Sequence, residues 1–127
     1  MYLLLDLSVN DTIHVALFNE SEVKDHHVAG INRDLLATVV DFLTQEGMST
    51  KDVQGIATVV GAGGFTSTRI GAIIANVFGY SQKIPVLGIA AEEMTDLPAV
   101  ATKLSAKATN QYVSASYSAE PNIGKKK

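Results

Sequence analysis

The sequence predicts an α/β domain, a mixed sheet with helices on its faces. Two observations carry this. The first 29 residues read as three strands in a meander, and from residue 32 helical and strand periodicities alternate. A third observation sets the scale: 127 residues, 46% hydrophobic and 18% charged, form one ordinary domain with enough apolar material for a core.

The elements follow in order. Tyr2 to Leu7 is a nearly continuous apolar run, as in a central strand buried on both faces. "VNDT" at 9–12 is turn chemistry, and Ile13, Val15 and Leu17 then alternate with His14, Ala16 and Phe18 in a strand returning antiparallel. After a turn at "NES", Glu22 to Val28 is a polar strand suited to a sheet edge. Leu35, Leu36, Val39, Val40, Phe42 and Leu43 recur at three- and four-residue spacings, a first helix with Asn32 as N-cap and Gly47 as its end. "STKD" at 49–52 resembles a capping box.

The β-branched run "GIATVVG" at 55–61 is a fourth strand, and a second helix runs from about Ser67 to Tyr80. "IPVLGIA" at 84–90 is a fifth strand with Pro85 at its entrance, where a missing N–H matters least. A third helix starts near Thr95 with Pro98 in its first turn. Glu92, Glu93 and Asp96 stand near its start, suit the helix dipole there and read as solvated. "QYVSASYS" is a candidate last strand. One lobe is expected over residues 1–118, with a flexible basic tail over 119–127.

Composition narrows the function classes. With no cysteine, disulfides and thiolate metal sites are excluded. "MYLLLDLS" lacks the basic start of a signal peptide, and no apolar run is long enough to span a bilayer, so a cytoplasmic setting without membrane attachment is expected. Net charge is −3; without Lys125, Lys126 and Lys127 the remainder has 7 basic and 13 acidic residues, or −6. A body of that sign repels a phosphate backbone, which disfavours direct binding of nucleic acid.

"GAGGFTSTRIG" at 61–71 poses the sharpest question. It lies between a strand and a helix N-terminus, where amides can meet an anion. Yet no lysine follows the glycines, and Thr66 stands where a dinucleotide fingerprint has its last glycine. The other reading is a backbone turn at Gly61, Gly63, Gly64 and Thr66 that needs positive φ and close approach. Spacing alone leaves both open.

The chain resembles the bacterial TsaB family. "YLLLDLS", "GAGGFTSTRIG" and "IPVLGIAAEEM" are similar in order and spacing to the family's "LDTS", "GPGSFTGLRIG" and "IPLVGVSSLEAL", across roughly residues 1 to 97. The sequence departs from that pattern at Ala62, Gly64 and Ser67, and at Leu7 and Val9 after the first aspartate. The resemblance implies a ribonuclease-H-like (actin-like ATPase) lobe with a mixed five-stranded sheet, and only the first of the family's two lobes. It further implies a non-catalytic subunit without cofactor that binds the catalytic subunit TsaD. The ATPase TsaE would join that complex, and tRNA would be reached only through it.

Asp6 ends the first strand, where actin-like ATPases and ribonuclease-H-like nucleases place a metal-binding carboxylate. The fourth strand ends in Val60-Gly61 with no second acid, so a two-metal site is disfavoured and Asp6 reads as a turn or interface carboxylate. His26 and His27 point to opposite faces of one strand and His14 lies on another. The metal-binding histidines of catalytic relatives have no counterpart in "GINRDLL", so no metal is expected.

The second helix, "RIGAIIANVFGY", is apolar nearly all round and must be covered on more than one side. Ile70, Ile73, Ile74, Val77 and Phe78 are assigned to the sheet. Gly71, Ala75 and Gly79 form a stripe of small residues that admits another helix, either the first helix of the same lobe or a partner's. The family resemblance favours the partner, with Leu36, Val40, Leu43, Arg69, Gly71, Ala72, Ala75, Asn76 and Gly79 at the contact. A homodimer through the same face is expected in isolation, with Ala75→Glu abolishing pairing while the lobe stays folded. Arg69, a cation in a first helical turn, needs a carboxylate, and Asp6 or an acid on the partner are the candidates. A different class of function remains as the alternative: a nucleotide-binding enzyme assembled from two copies of the lobe.

Overall fold

The computed structural model describes residues 1–9, 11–61 and 65–107. Gly63, Gly64, the candidate last strand and the basic tail lie outside the described residues. Five strands form one mixed sheet in the order β3-β2-β1-β4-β5: β1 Tyr2–Asp6, β2 Thr12–Phe18, β3 Val23–Ala29, β4 Ile56–Val59 and β5 Val86–Ile89. Three helices accompany them, α1 Leu35–Gln45, α2 Phe65–Gln82 and α3 Leu97–Ala106. The architecture expected from the meander and the later alternation is therefore present.

β1 pairs antiparallel with β2, Leu5 opposite Val15, and parallel with β4, Leu4 opposite Ala57. β4 runs parallel to β5, and the polar β3 occupies an edge, antiparallel to β2. Side-chain alternation divides the core into two. Leu3, Leu5, Ile13, Val15, Leu17 and Ile56 meet α1 and α2 on one face. Leu4, Ala16, Phe18, Ala57, Val59 and Ile89 meet α3 on the other. Burial on both sides explains the unbroken apolar run of β1.

The ends of the elements are set by short-range hydrogen bonds. Asn19 Oδ1 accepts from the amides of Ser21 and Glu22 at 2.7 and 2.8 Å, closing the turn before β3. Asn32 is not the N-cap of α1: a 3₁₀ turn spans Asn32–Asp34, Asp34 is the capping position, and its carboxylate accepts from Ile31 N–H. The early turn shifts the true start by two residues. At the other end Gly47 is left-handed (φ 73°), with Met48 N–H on Leu43 O and Gly47 N–H on Thr44 O, a Schellman motif. The "STKD" capping box is present, with Ser49 N–H donating to Asp52 Oδ2 at 2.9 Å.

α2 begins at Phe65, earlier than its apolar pattern suggests, and closes with the 6→1 bond from Ile84 N–H to Gly79 O. Its left-handed terminal residue is Lys83 (φ 56°), where glycine is usual. A 3₁₀ turn over Ala91–Asp96 precedes α3, so Glu92 and Glu93 sit before that helix rather than in it. Nor is Glu93 simply solvated. It accepts from Ala90 N–H at 2.8 Å and pairs with Lys103 at 2.6 Å, and these contacts hold its carboxyl below the usual range.

Candidate functional site

The small-residue stripe of α2 turns inward. A Cβ on Gly79 would lie 2.2 Å from Val86 Cγ2, and one on Gly71 would lie 3.0 Å from Thr58 Oγ1. Ala72 and Ala75 are likewise buried, Ala75 completely. These residues let α2 lie close against β4 and β5. The outward positions are Ile73, Val77 and Tyr80, the last two 59% and 75% exposed. Ile70, Ile74 and Phe78 do pack toward the sheet, but Ile73 and Val77 do not. The reason is physical: a helix apolar all round carries little periodic signal, and close backbone approach decides which side faces the strands.

On α1, Leu36 and Val40 are exposed as expected of contact residues, whereas Leu43 is buried in the core beneath the helix. Arg69 is exposed near the start of α2 and Asn76 half-buried farther along. Both helices therefore present large apolar side chains to solvent on the same side of the sheet. A shallow apolar concavity at the far end of α2 is lined by Asn76, Val77, Tyr80 and Ser81.

Of the glycine-rich turn, Gly61 has φ 78°, the left-handed conformation that its turn reading required. Thr66 lies within the first turn of α2.

A second cluster, absent from the sequence reading, lies where β1 ends. Asp6 is buried; its Oδ1 accepts from Ser8 N–H and Oγ–H, and its Oδ2 lies 2.8 Å from His14 Nδ1. The other ring nitrogen of His14, Nε2, lies 2.7 Å from Asp25 Oδ1 on β3. His27 stacks on His14 with ring centroids 4.0 Å apart. Burial opposes the charge on Asp6, but the His14 and Ser8 hydrogen bonds outweigh it and lower its pKa. Burial also opposes a charged His14, and hydrogen bonds to Asp6 and Asp25 outweigh that and raise its pKa. The sequence did hold a signal. A meander places the end of the first strand beside the start of the second, and the ladder sets Asp6 opposite His14 and His14 opposite His27.

The cluster does not fit a metal centre. Both nitrogens of His14 and both oxygens of Asp6 are already engaged. No group of three His, Cys, Asp or Glu among the described residues converges on one point. His26 faces the other side of the sheet and stacks on Phe42 of α1 at 5.2 Å. No helix of the described residues is long and apolar enough to cross a membrane.

Comparison with known proteins gives a consistent result. Residues 22–122 match the family model described as TsaD: tRNA N6-adenosine threonylcarbamoyltransferase. The chain is 31% identical over 85 residues to the tRNA threonylcarbamoyladenosine biosynthesis protein TsaB of Escherichia coli K12, a match spanning 65% of this chain and 37% of that protein. Among solved structures, YeaZ from Pseudomonas aeruginosa superposes with a TM-score of 0.63 at 30% identity, covering 70% of this chain and 44% of that one. A second, described as an uncharacterized protein with similarity to peptidase YEAZ from Pseudomonas aeruginosa, gives 0.62 at 29% identity, covering 71% and 44%. The chain thus spans less than half the length of these relatives. With a fold of the actin-like type, the chain belongs to the family that the TsaD model describes, and within it to the TsaB type.

Proposed function

We propose that the chain is a non-catalytic subunit in the synthesis of threonylcarbamoyladenosine on tRNA, and that it binds a TsaD-type catalytic subunit through the outer faces of α1 and α2. One observation carries this reading. Leu36 and Val40 on α1, and Ile73, Val77 and Tyr80 on α2, are large apolar side chains left exposed on one side of the sheet. Exposed apolar surface of this kind marks interaction sites when it is contiguous, and a working interface buries roughly 800 Å² per partner. The contact set differs from the one the sequence suggested. Leu43, Gly71, Ala72, Ala75 and Gly79 shape the helices from beneath, while Leu36, Val40, Ile73, Val77 and Tyr80 make the contact.

A non-catalytic role is supported by the state of Asp6. A carboxylate whose oxygens are taken by Ser8 and His14 is a poor metal or water ligand. The acidic body favours contact with tRNA through the complex rather than by this chain alone. A TsaE-type ATPase joins the same assembly, and a second copy of the chain takes the apolar face when the partner is missing.

Calorimetry against the TsaD-type subunit of the same host tests the reading. Binding is expected for the unmutated chain, and Val77→Glu is expected to weaken it at least about 30-fold, the equivalent of about 2 kcal/mol. Titration with ATP alone tests the enzyme alternative. Micromolar ATP affinity without subunit binding would replace the proposal with that alternative.

A further inference from the structure

The cluster around His14 has a property that the partner-binding face does not use. His14 lies on β2, Asp6 on the central β1 and Asp25 on the edge strand β3, so the imidazole bridges three strands. A neutral imidazole has one N–H and an ionised carboxylate has none. Two carboxylates, one at each ring nitrogen, can both be satisfied only by the doubly protonated ring. The separations of 2.8 and 2.7 Å are those of charge-assisted N–H⁺···O⁻ bonds.

We infer that His14 is a proton-operated clamp: as an imidazolium it ties edge strand β3 to β1, and as a neutral ring it releases one of the two carboxylates. Among the described residues, the titratable groups facing the ring are Asp6 from β1 and Asp25 and His27 from β3. On α3, which covers this side of the sheet, Lys103 is tied to Glu93. Among the described residues β3 is held on one side only, by β2, so its release is a local opening. That opening reaches α1, because β3 also stacks His26 on Phe42 and pairs Lys24 with Glu46 at 3.1 Å.

The direction follows from the two shifts. The raised pKa of His14 means that its contribution is complete below the ordinary value of 6.5 and is lost as pH rises through the folded-state value. The lowered pKa of Asp6 means that its contribution is present above 3.8 and is lost as pH falls through its own folded-state value. The clamp is therefore closed in mild acid and opens on the alkaline side.

Nuclear magnetic resonance of the isolated chain tests this without any partner, so its outcome is independent of the proposed function. His14 is expected to titrate above 6.5 with both ring nitrogens protonated on the acid side. Amide protection of β3, referenced to intrinsic exchange at each pH, should fall through the same midpoint while β1 and β4 hold. The fall should be about tenfold for each pH unit by which that midpoint exceeds 6.5. Asp25 is half-exposed, so Asp25→Asn keeps the fold, and it should lower both the His14 midpoint and the β3 protection in mild acid. A His14 midpoint at or below 6.5, a singly protonated ring in mild acid, or β3 protection that ignores the His14 midpoint would each overturn the clamp.

Discussion

Replacing Gly79 by alanine adds one methyl group to the inner side of α2. That methyl would lie 2.2 Å from Val86 Cγ2 and 3.3 Å from the Ile84 carbonyl oxygen. Carbon atoms relax at about 3.5–4.0 Å, so helix and strand must part by more than about 1 Å or Val86 must leave its rotamer. Val86 is buried, and a β-branched side chain is stiff at χ1. Overpacking costs about 1–3 kcal/mol, and so close an approach belongs in the upper part of that range. Alanine returns about 1 kcal/mol of helix propensity. The net loss is about 1–2 kcal/mol, which at about 4–8 °C per kcal/mol lowers Tm by roughly 5–15 °C. Gly71→Ala is the matched control: its methyl meets Thr58 Oγ1 at 3.0 Å, and propensity nearly cancels the tighter contact. Thermal unfolding followed by circular dichroism reads both. A Gly79→Ala chain that melts at or above the parent would refute the inward orientation of α2.

Ala75→Glu places a carboxylate in a fully buried position of the core, a penalty of several kcal/mol against a total stability of about 5–15 kcal/mol. It should unfold the lobe rather than merely unpair it, and a native far-ultraviolet spectrum would count against this. Lys83→Gly removes a left-handed strain of about 1–2 kcal/mol at the end of α2 and should stabilise the chain by about 0.5–1 kcal/mol once glycine's own entropy is subtracted. Chemical denaturation measures that difference, and a lower midpoint would contradict it. Val77→Ser, on the exposed side, should change stability by no more than about 0.5 kcal/mol in the same assay, and a core-sized loss would place Val77 inside.

Much of the fold was legible because strand signals were strong. The apolar run of β1, the alternation in β2 and the polar β3 each follow from how many faces a strand buries, and their order matched the sheet. Helix α1 was legible from its periodicity, although Asn32 lost the cap to Asp34 because a 3₁₀ turn intervened. Helix α2 was found and Ile70, Ile74 and Phe78 were placed correctly, but its small-residue stripe faces inward and Ile73 and Val77 face outward. Ile73 and Val77 are as apolar as Ile70 and Phe78, so nothing in side-chain chemistry separates inside from outside. The glycines carried that information, but a small residue signals close approach without saying to what. The same ambiguity moved Leu43 and Ala75 into the expected contact set. His14 was passed over because its meaning depends on register: opposite Asp6 and diagonal to Asp25 it is part of a network, whereas alone on a strand it is one histidine among three.

The outer faces of α1 and α2 are proposed to meet a TsaD-type subunit. Methyl cross-saturation in the mixed complex addresses this directly, with the catalytic subunit irradiated and this chain observed. Attenuation should concentrate on the methyl groups of Leu36, Val40, Ile73 and Val77, which are exposed in the free chain. Leu97, Val100 and Leu104 of α3, on the opposite face of the sheet, should remain unaffected. Attenuation centred on α3, or none at all in a complex that demonstrably forms, would contradict docking through α1 and α2.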